Sequence, residues 1–218
     1  RRLIAYRLIS NHEDINKNTL TLSRAFSPHL SQLSSMGRSH DHWIQDSILN
    51  PYLCVAYNTP NLCDKILKNN FKFYNSVPKF TNDWRWYKSL YGKKRKINEN
   101  FLSEYNLISH CMIDYRMNGS SRDQTKNIKL ENLCSNFALI TKNYENLGYK
   151  EYKKNVQPTL MRIINNLKND VDKSTLNSIK EADSLLIKDQ IKPEEVSKML
   201  FFSKFFGREQ CYLSFTNE

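Results

Sequence analysis

Four short stretches of the sequence bring together side chains able to do chemistry. His12-Glu13-Asp14 sets an imidazole beside two carboxylates, a set suited to general acid–base work with a carboxylate orienting the ring. His40-Asp41-His42 adds two imidazoles flanking another carboxylate. Trp84-Arg85-Trp86-Tyr87 offers flat rings for stacking and a guanidinium to pair with phosphate or carboxylate. Lys93-Lys94-Arg95-Lys96 is a compact basic run, able to displace counterions from phosphates. Each stretch also has a plainer reading. Glu13 and Asp14 suit the first turn of a helix, where acids favour the positive dipole end. The aromatic cluster can be packing, although rings at i and i+2 cannot all enter one core from a helix. The basic run can be a solvated loop entering a helix.

Composition narrows the classes. The chain has 218 residues, 33 Lys+Arg against 22 Asp+Glu, a formal net charge of +11 and a pI near 9.4. With 39% hydrophobic and 25% charged residues it is globular rather than disordered. No apolar run reaches the length that spans a bilayer, and no segment near residue 1 resembles a signal peptide. The five cysteines (Cys54, Cys63, Cys111, Cys134, Cys211) are odd in number and form no CxxC pair. That excludes a zinc ribbon or CxxC redox motif and predicts a reducing, cytoplasmic setting. The five glycines are isolated, so no GxGxxG or GxxxxGK[ST] phosphate loop can be built. The positive charge invites a nucleic-acid reading. Against it, Asn, Lys and Ile abundance is the bias of AT-rich coding sequence, and most lysines fall singly on polar helix faces.

The elements that must position these groups follow from periodicity. Leu3–Ile9 is an apolar run of strand length, starting as abruptly as if inside a larger chain. Asn11 caps a helix whose inner face is Ile15, Thr19, Leu22 and Phe26, ended by Ser27-Pro28. A short helix after Gly37-Arg38-Ser39 carries Trp43, Ile44 and Ile48. Thr59-Pro60 opens another, with Leu62, Cys63, Ile66 and Leu67 inward and a stop at Asn69-Asn70. Phe71–Tyr74 is a second strand. From Gly92 to Phe206 the pattern is helical: Ile97, Phe101, Tyr105, Ile108, Met112 and Tyr115 lie on one face. Leu130, Leu133, Phe137, Ile140, Tyr144 and Leu147 lie on the next, with Gly148 as a left-handed cap. Two more helices carry Leu160–Leu167 and Leu176–Leu186, and a last runs from Pro193 to Gly207. Residues 210–216 alternate as a terminal strand. Isolated strands leave backbone groups unpaired, so the three strands are expected to adjoin.

This layout resembles the C-terminal half of class I S-adenosylmethionine-dependent methyltransferases. In that family the last strand runs antiparallel between two others. Leu3–Ile9 would match the fifth strand, Asn70-Phe71-Lys72-Phe73 the "Gly-Phe" entry to the sixth with Asn70 in place of glycine, and Gly207–Phe215 the seventh. The resemblance implies an α/β, predominantly helical fold. A small three-stranded mixed sheet would form from residues 1–78 and 207–218, with 79–206 as a helical insertion. It implies the substrate-binding portion of a methyltransferase-like transferase, with His12, Glu13 and Asp14 at the reacting end. His40, His42, Trp43, Trp84, Arg85, Trp86 and Tyr87 would line a small-molecule pocket. The family's glycine loop and ribose-binding acid are missing, so S-adenosylmethionine is not expected to bind this chain without a partner supplying the missing half of the sheet. His12, His40, Asp41 and Asp114 are also similar to the metal set of HD-type phosphohydrolases, but Gly37-Arg38-Ser39 precede the pair and no metal is expected. The alternatives are a basic helical nucleic-acid-binding module working through Lys93, Lys94, Arg95 and Lys96, and a non-catalytic interaction scaffold. No membrane association is expected.

Overall fold

A computed structural model describes residues 1–9, 14–49, 58–77, 97–117, 120–142, 147–208 and 212–217. The chain divides into two units, one of residues 1–53 and 132–205, the other of 54–131 and 206–218. It is mostly helical, with one antiparallel pair of strands among the described residues. No described helix is long and apolar enough to cross a membrane.

The first unit is helical. The apolar run at Leu3–Ile9 is not a strand: α1 spans Arg2–Tyr6 and buries Ile4 and Ala5. A continuous apolar run does not distinguish a buried strand from a buried helix turn. The helix closes its own bonds, with Ala5 N–H to Arg1 O at 2.9 Å and Leu8 N–H to Ala5 O at 2.9 Å, whereas a strand would need a neighbour. Among the described residues the expected three-stranded sheet is therefore a pair of strands. The cap of α2 (Ile15–Ala25) is Asp14, whose side chain accepts from Lys17 N–H at 2.9 Å, not Asn11. Thr19, Leu22, Ala25 and Phe26 are buried as the periodicity requires, while Ile15 lies exposed at the helix mouth.

Pro28 does not end the helical path but opens α3 (Ser27–Leu30), tolerated in its first turn. Ser39 caps α4 (His40–Ile44), which a π-helical turn at Gln45–Leu49 continues. Gly148 caps the start of the next helix with φ −70°, rather than ending the previous one in the left-handed region. Further on, α9 (Gln157–Leu167) buries Leu160, Ile163, Ile164 and Leu167, and α10 (Lys173–Leu186) packs on it. Arg7 donates to the carbonyls of Leu186 (2.6 Å), Asp189 (2.9 Å) and Lys188, closing the C-terminal end of α10 with a cation. The expected helix from Pro193 to Gly207 breaks after α11 (Pro193–Ser197). The Glu181 carboxylate on α10 accepts the N–H groups of Leu200, Phe201 and Phe202 at 2.9, 2.9 and 2.7 Å, taking up donors that an unbroken α-helix would use and capping a 3₁₀ turn at Phe202–Lys204.

The second unit is built on the strand pair. In it, α5 (Thr59–Leu67) is capped by Asn58, one residue earlier than Thr59, and buries Cys63. Asn70 then takes φ 66°, the left-handed conformation that Asn tolerates better than other residues with a side chain. β1 (Lys72–Val77) pairs antiparallel with β2 (Tyr212–Thr216), as expected for the second and terminal strands. A bulge at Tyr74 keeps both Phe73 and Ser76 facing inward. Phe73 stacks on Phe101 of α6 (Ile97–Ile108) with ring centroids 4.0 Å apart and meets Phe215 edge-on at 5.9 Å. Cys63 and Tyr105 complete this core, with Leu67, Met112 and Leu213 packed against it. Residues 206–208 lie along 112–115, through Tyr115 N–H to Phe206 O at 2.8 Å and Arg208 N–H to Met112 O at 2.9 Å. A Cβ on Gly207 would come within 3.3 Å of Met112 O, so this approach favours glycine.

Candidate functional site

His12, Glu13, Trp84, Arg85, Trp86, Tyr87 and Lys93 to Lys96 lie outside the described residues. Asp14 spends its carboxylate on the cap of α2. On α4, His40 and His42 are exposed, Trp43 is buried with Ile44, and Asp41 accepts from Ser23 Oγ at 2.6 Å. Asp114 is fully buried and held by Arg116, with Nη2–Oδ2 at 2.6 Å and Nε–Oδ1 at 2.9 Å. Among the described residues no three His, Cys, Asp or Glu side chains are arranged to hold a metal ion.

Among the described residues of the second unit, one buried polar group was not singled out from the sequence. It forms where a 3₁₀ turn (Ser109–Ile113) follows α6 and faces the start of α7 (Gln124–Ile140). Arg122 Nε donates to Asn127 Oδ1 at 2.5 Å. That fixes the amide, so Asn127 Nδ2 donates to Asn106 O at 2.6 Å and to His110 Nδ1 at 3.3 Å. An Nδ1 that accepts leaves the proton of the neutral ring on Nε2, and Nε2 lies 3.6 Å from Cys111 Sγ. Cys111 in turn donates to Ser120 O at 3.7 Å.

The relay decides what His110 can do. With its proton on Nε2 it donates towards sulfur and cannot accept the thiol proton there, so it is not placed as the base of a Cys–His dyad. Nor can Nε2 ligate a metal without moving the proton to Nδ1, where the Asn127 amide already donates. His110, Cys111 and Asn127 are all at most 2% exposed. The group is a satisfied network that locks the turn after α6 to α7. The signal for it was thin: adjacent His and Cys, and an Asn far along the chain.

Among the described residues of the same unit, exposed side chains gather on the outer face of the strand pair. Opposite the core, Lys72 pairs with Thr216, Asn75 with Ser214 and Val77 with Tyr212. Tyr74 is 71% exposed, Tyr212 63% and Val77 59%. Two phenol rings and a lysine thus share the solvent side of a strand pair whose other side is core. Strand alternation over residues 210–216 sets Leu213 and Phe215 on one face and Tyr212 on the other. Tyr74 depends on the bulge, which no sequence period marks. Comparison with protein-family models, with curated proteins and with solved structures returned no match to this chain.

Proposed function

We propose that the protein binds single-stranded nucleic acid through the outer face of its strand pair. The observation that carries this reading is the exposure of Tyr74 and Tyr212 on that strand pair, with Lys72 two residues from Tyr74 on β1. Stacking of bases on aromatic side chains over a basic surface is the common physics of sequence-tolerant single-strand binding. In sequence, the aromatic run at Trp84 to Tyr87 and the basic run at Lys93 to Lys96 come after β1. The net charge of +11 supplies the long-range attraction. Titration of labelled RNA and DNA oligonucleotides by fluorescence anisotropy tests it. Tyr74→Ala and Tyr212→Ala should each weaken binding by about 1–3 kcal/mol, nearly uniformly across sequences. Unchanged affinity in both variants, or no saturable binding by the parent chain at low salt, overturns the reading.

The substrate-binding portion of a methyltransferase-like protein is a second reading, supported by the antiparallel pairing of residues 72–77 with the terminal strand. It loses the strand it needs at Leu3–Ile9, which is helix. The residues present do not fit S-adenosylmethionine: the sequence has no glycine turn and the strand leading to His12 is absent.

A further inference from the structure

The first unit carries a cationic cluster that the strand-pair reading does not use. α8 (Tyr149–Glu151) runs through a π-helical turn at Tyr152–Val156 into α9. The inward side of this stretch is well anchored: Tyr152 and Val156 are buried, and Tyr152 donates to Asp183 at 2.9 Å. The outward side presents Lys150, Lys153 and Lys154, all exposed. The ammonium groups of Lys150 and Lys153 lie 5.9 and 5.7 Å from the centroid of the Tyr149 ring. The one carboxylate within this stretch, Glu151, lies back towards Gly148, its Oε2 2.8 Å from where a Cβ would stand. Among the described residues none of the three lysines is in an ion pair.

We propose that Tyr149, Lys150, Lys153 and Lys154 form a phosphate-contact site for the phosphodiester backbone of a nucleic acid. The ring draws two ammonium groups to one place and limits how far they wander, while their charges stay unneutralised. A phosphodiester chain supplies repeated negative charges to such a cluster, and contact to phosphate carries no sequence preference. An anionic membrane is the less suitable occupant. Membrane-surface helices need apolar side chains beside their lysines, and no large apolar side chain described in the stretch 147–167 is exposed.

The inference concerns a surface separate from the strand pair, and both are tested on the full chain. The variant Lys150→Gln/Lys153→Gln/Lys154→Gln should flatten the salt dependence of single-strand binding by about 2 in log–log slope, at about 0.7 per contact. The corresponding triple Arg variant should restore the slope, which separates charge from any effect on folding. Loss in the Gln variant with Tyr74→Ala and Tyr212→Ala neutral would leave this site standing and remove the strand-pair reading. A Gln variant with parental slope and affinity overturns the present inference while leaving the strand-pair reading intact. Binding to anionic vesicles that the Gln substitutions abolish, without binding to oligonucleotides, also overturns it.

Discussion

The two units each bury a histidine, and they do so by opposite means. In the first, His29 on α3 is fully buried, edge-on to Phe26 at 5.0 Å and to Phe202 at 5.4 Å, with neither ring nitrogen in a hydrogen bond. The Val196 carbonyl nearby favours the charged ring slightly but does not reach bonding geometry. Burial, followed by the positive charge of residue 1, pushes its pKa down to about 3. In the second unit, His110 is as buried, yet each ring nitrogen meets a group of matching polarity, from Arg122 through Asn127 to Cys111. One histidine is treated as an aromatic side chain that happens to carry nitrogens. The other is the centre of a network. Burial alone therefore says little about a histidine; the polarity of what surrounds it sets its role.

Removing the network should have the largest effect. Asn127→Leu deletes the acceptor for Arg122 and the donor for His110 together, and should cost the second unit about 3 kcal/mol. Hydrogen exchange resolved by residue should show residues 97–131 losing protection while α9 and α10 keep theirs. In the parent chain, ¹⁵N spectra should show His110 with its proton on Nε2. A proton on Nδ1 would break the comparison at its centre.

Acid should single out the first unit. The folded His29 ring resists a proton that the unfolded ring accepts below its ordinary 6.5. Stability contributed by the folded state thus falls as pH drops through 6.5 and keeps falling towards the folded value near 3. At pH 5 the loss should be about 2 kcal/mol. Urea titrations between pH 7 and 4 should show it, and His29→Leu should flatten that pH dependence. An unaltered slope in the variant would show that the ring is not the acid-sensitive group.

The finest test is at sulfur. Cys111→Ser keeps a donor and an acceptor at the end of the relay and should cost no more than about 1 kcal/mol. Cys111→Val, of similar bulk, leaves the His110 Nε2–H facing an apolar group and should cost about 1–3 kcal/mol. Equal losses would mean that the sulfur serves packing alone.

The sequence by itself determined the helices with clear periods and a terminal strand adjoining one near Phe71–Tyr74, which the structure extends to Val77. The apolar faces of α9 and α10 repeat every three to four residues, and Leu213 and Phe215 alternate with polar neighbours, so local order and burial agree. Tertiary structure decided the rest. The run at Leu3–Ile9 had no period to separate strand from helix, and α1 (Arg2–Tyr6) with the turn after it closes its hydrogen bonds within the segment. The break after Ser197 came from a carboxylate on another helix, since Glu181 offers the N–H groups of 200–202 better partners than a further helical turn. The tautomer of His110 depends on Asn127 and Arg122, beyond its own helix. Hydrogen-bond polarity is a property of neighbours in space, and a one-dimensional pattern records only neighbours along the chain.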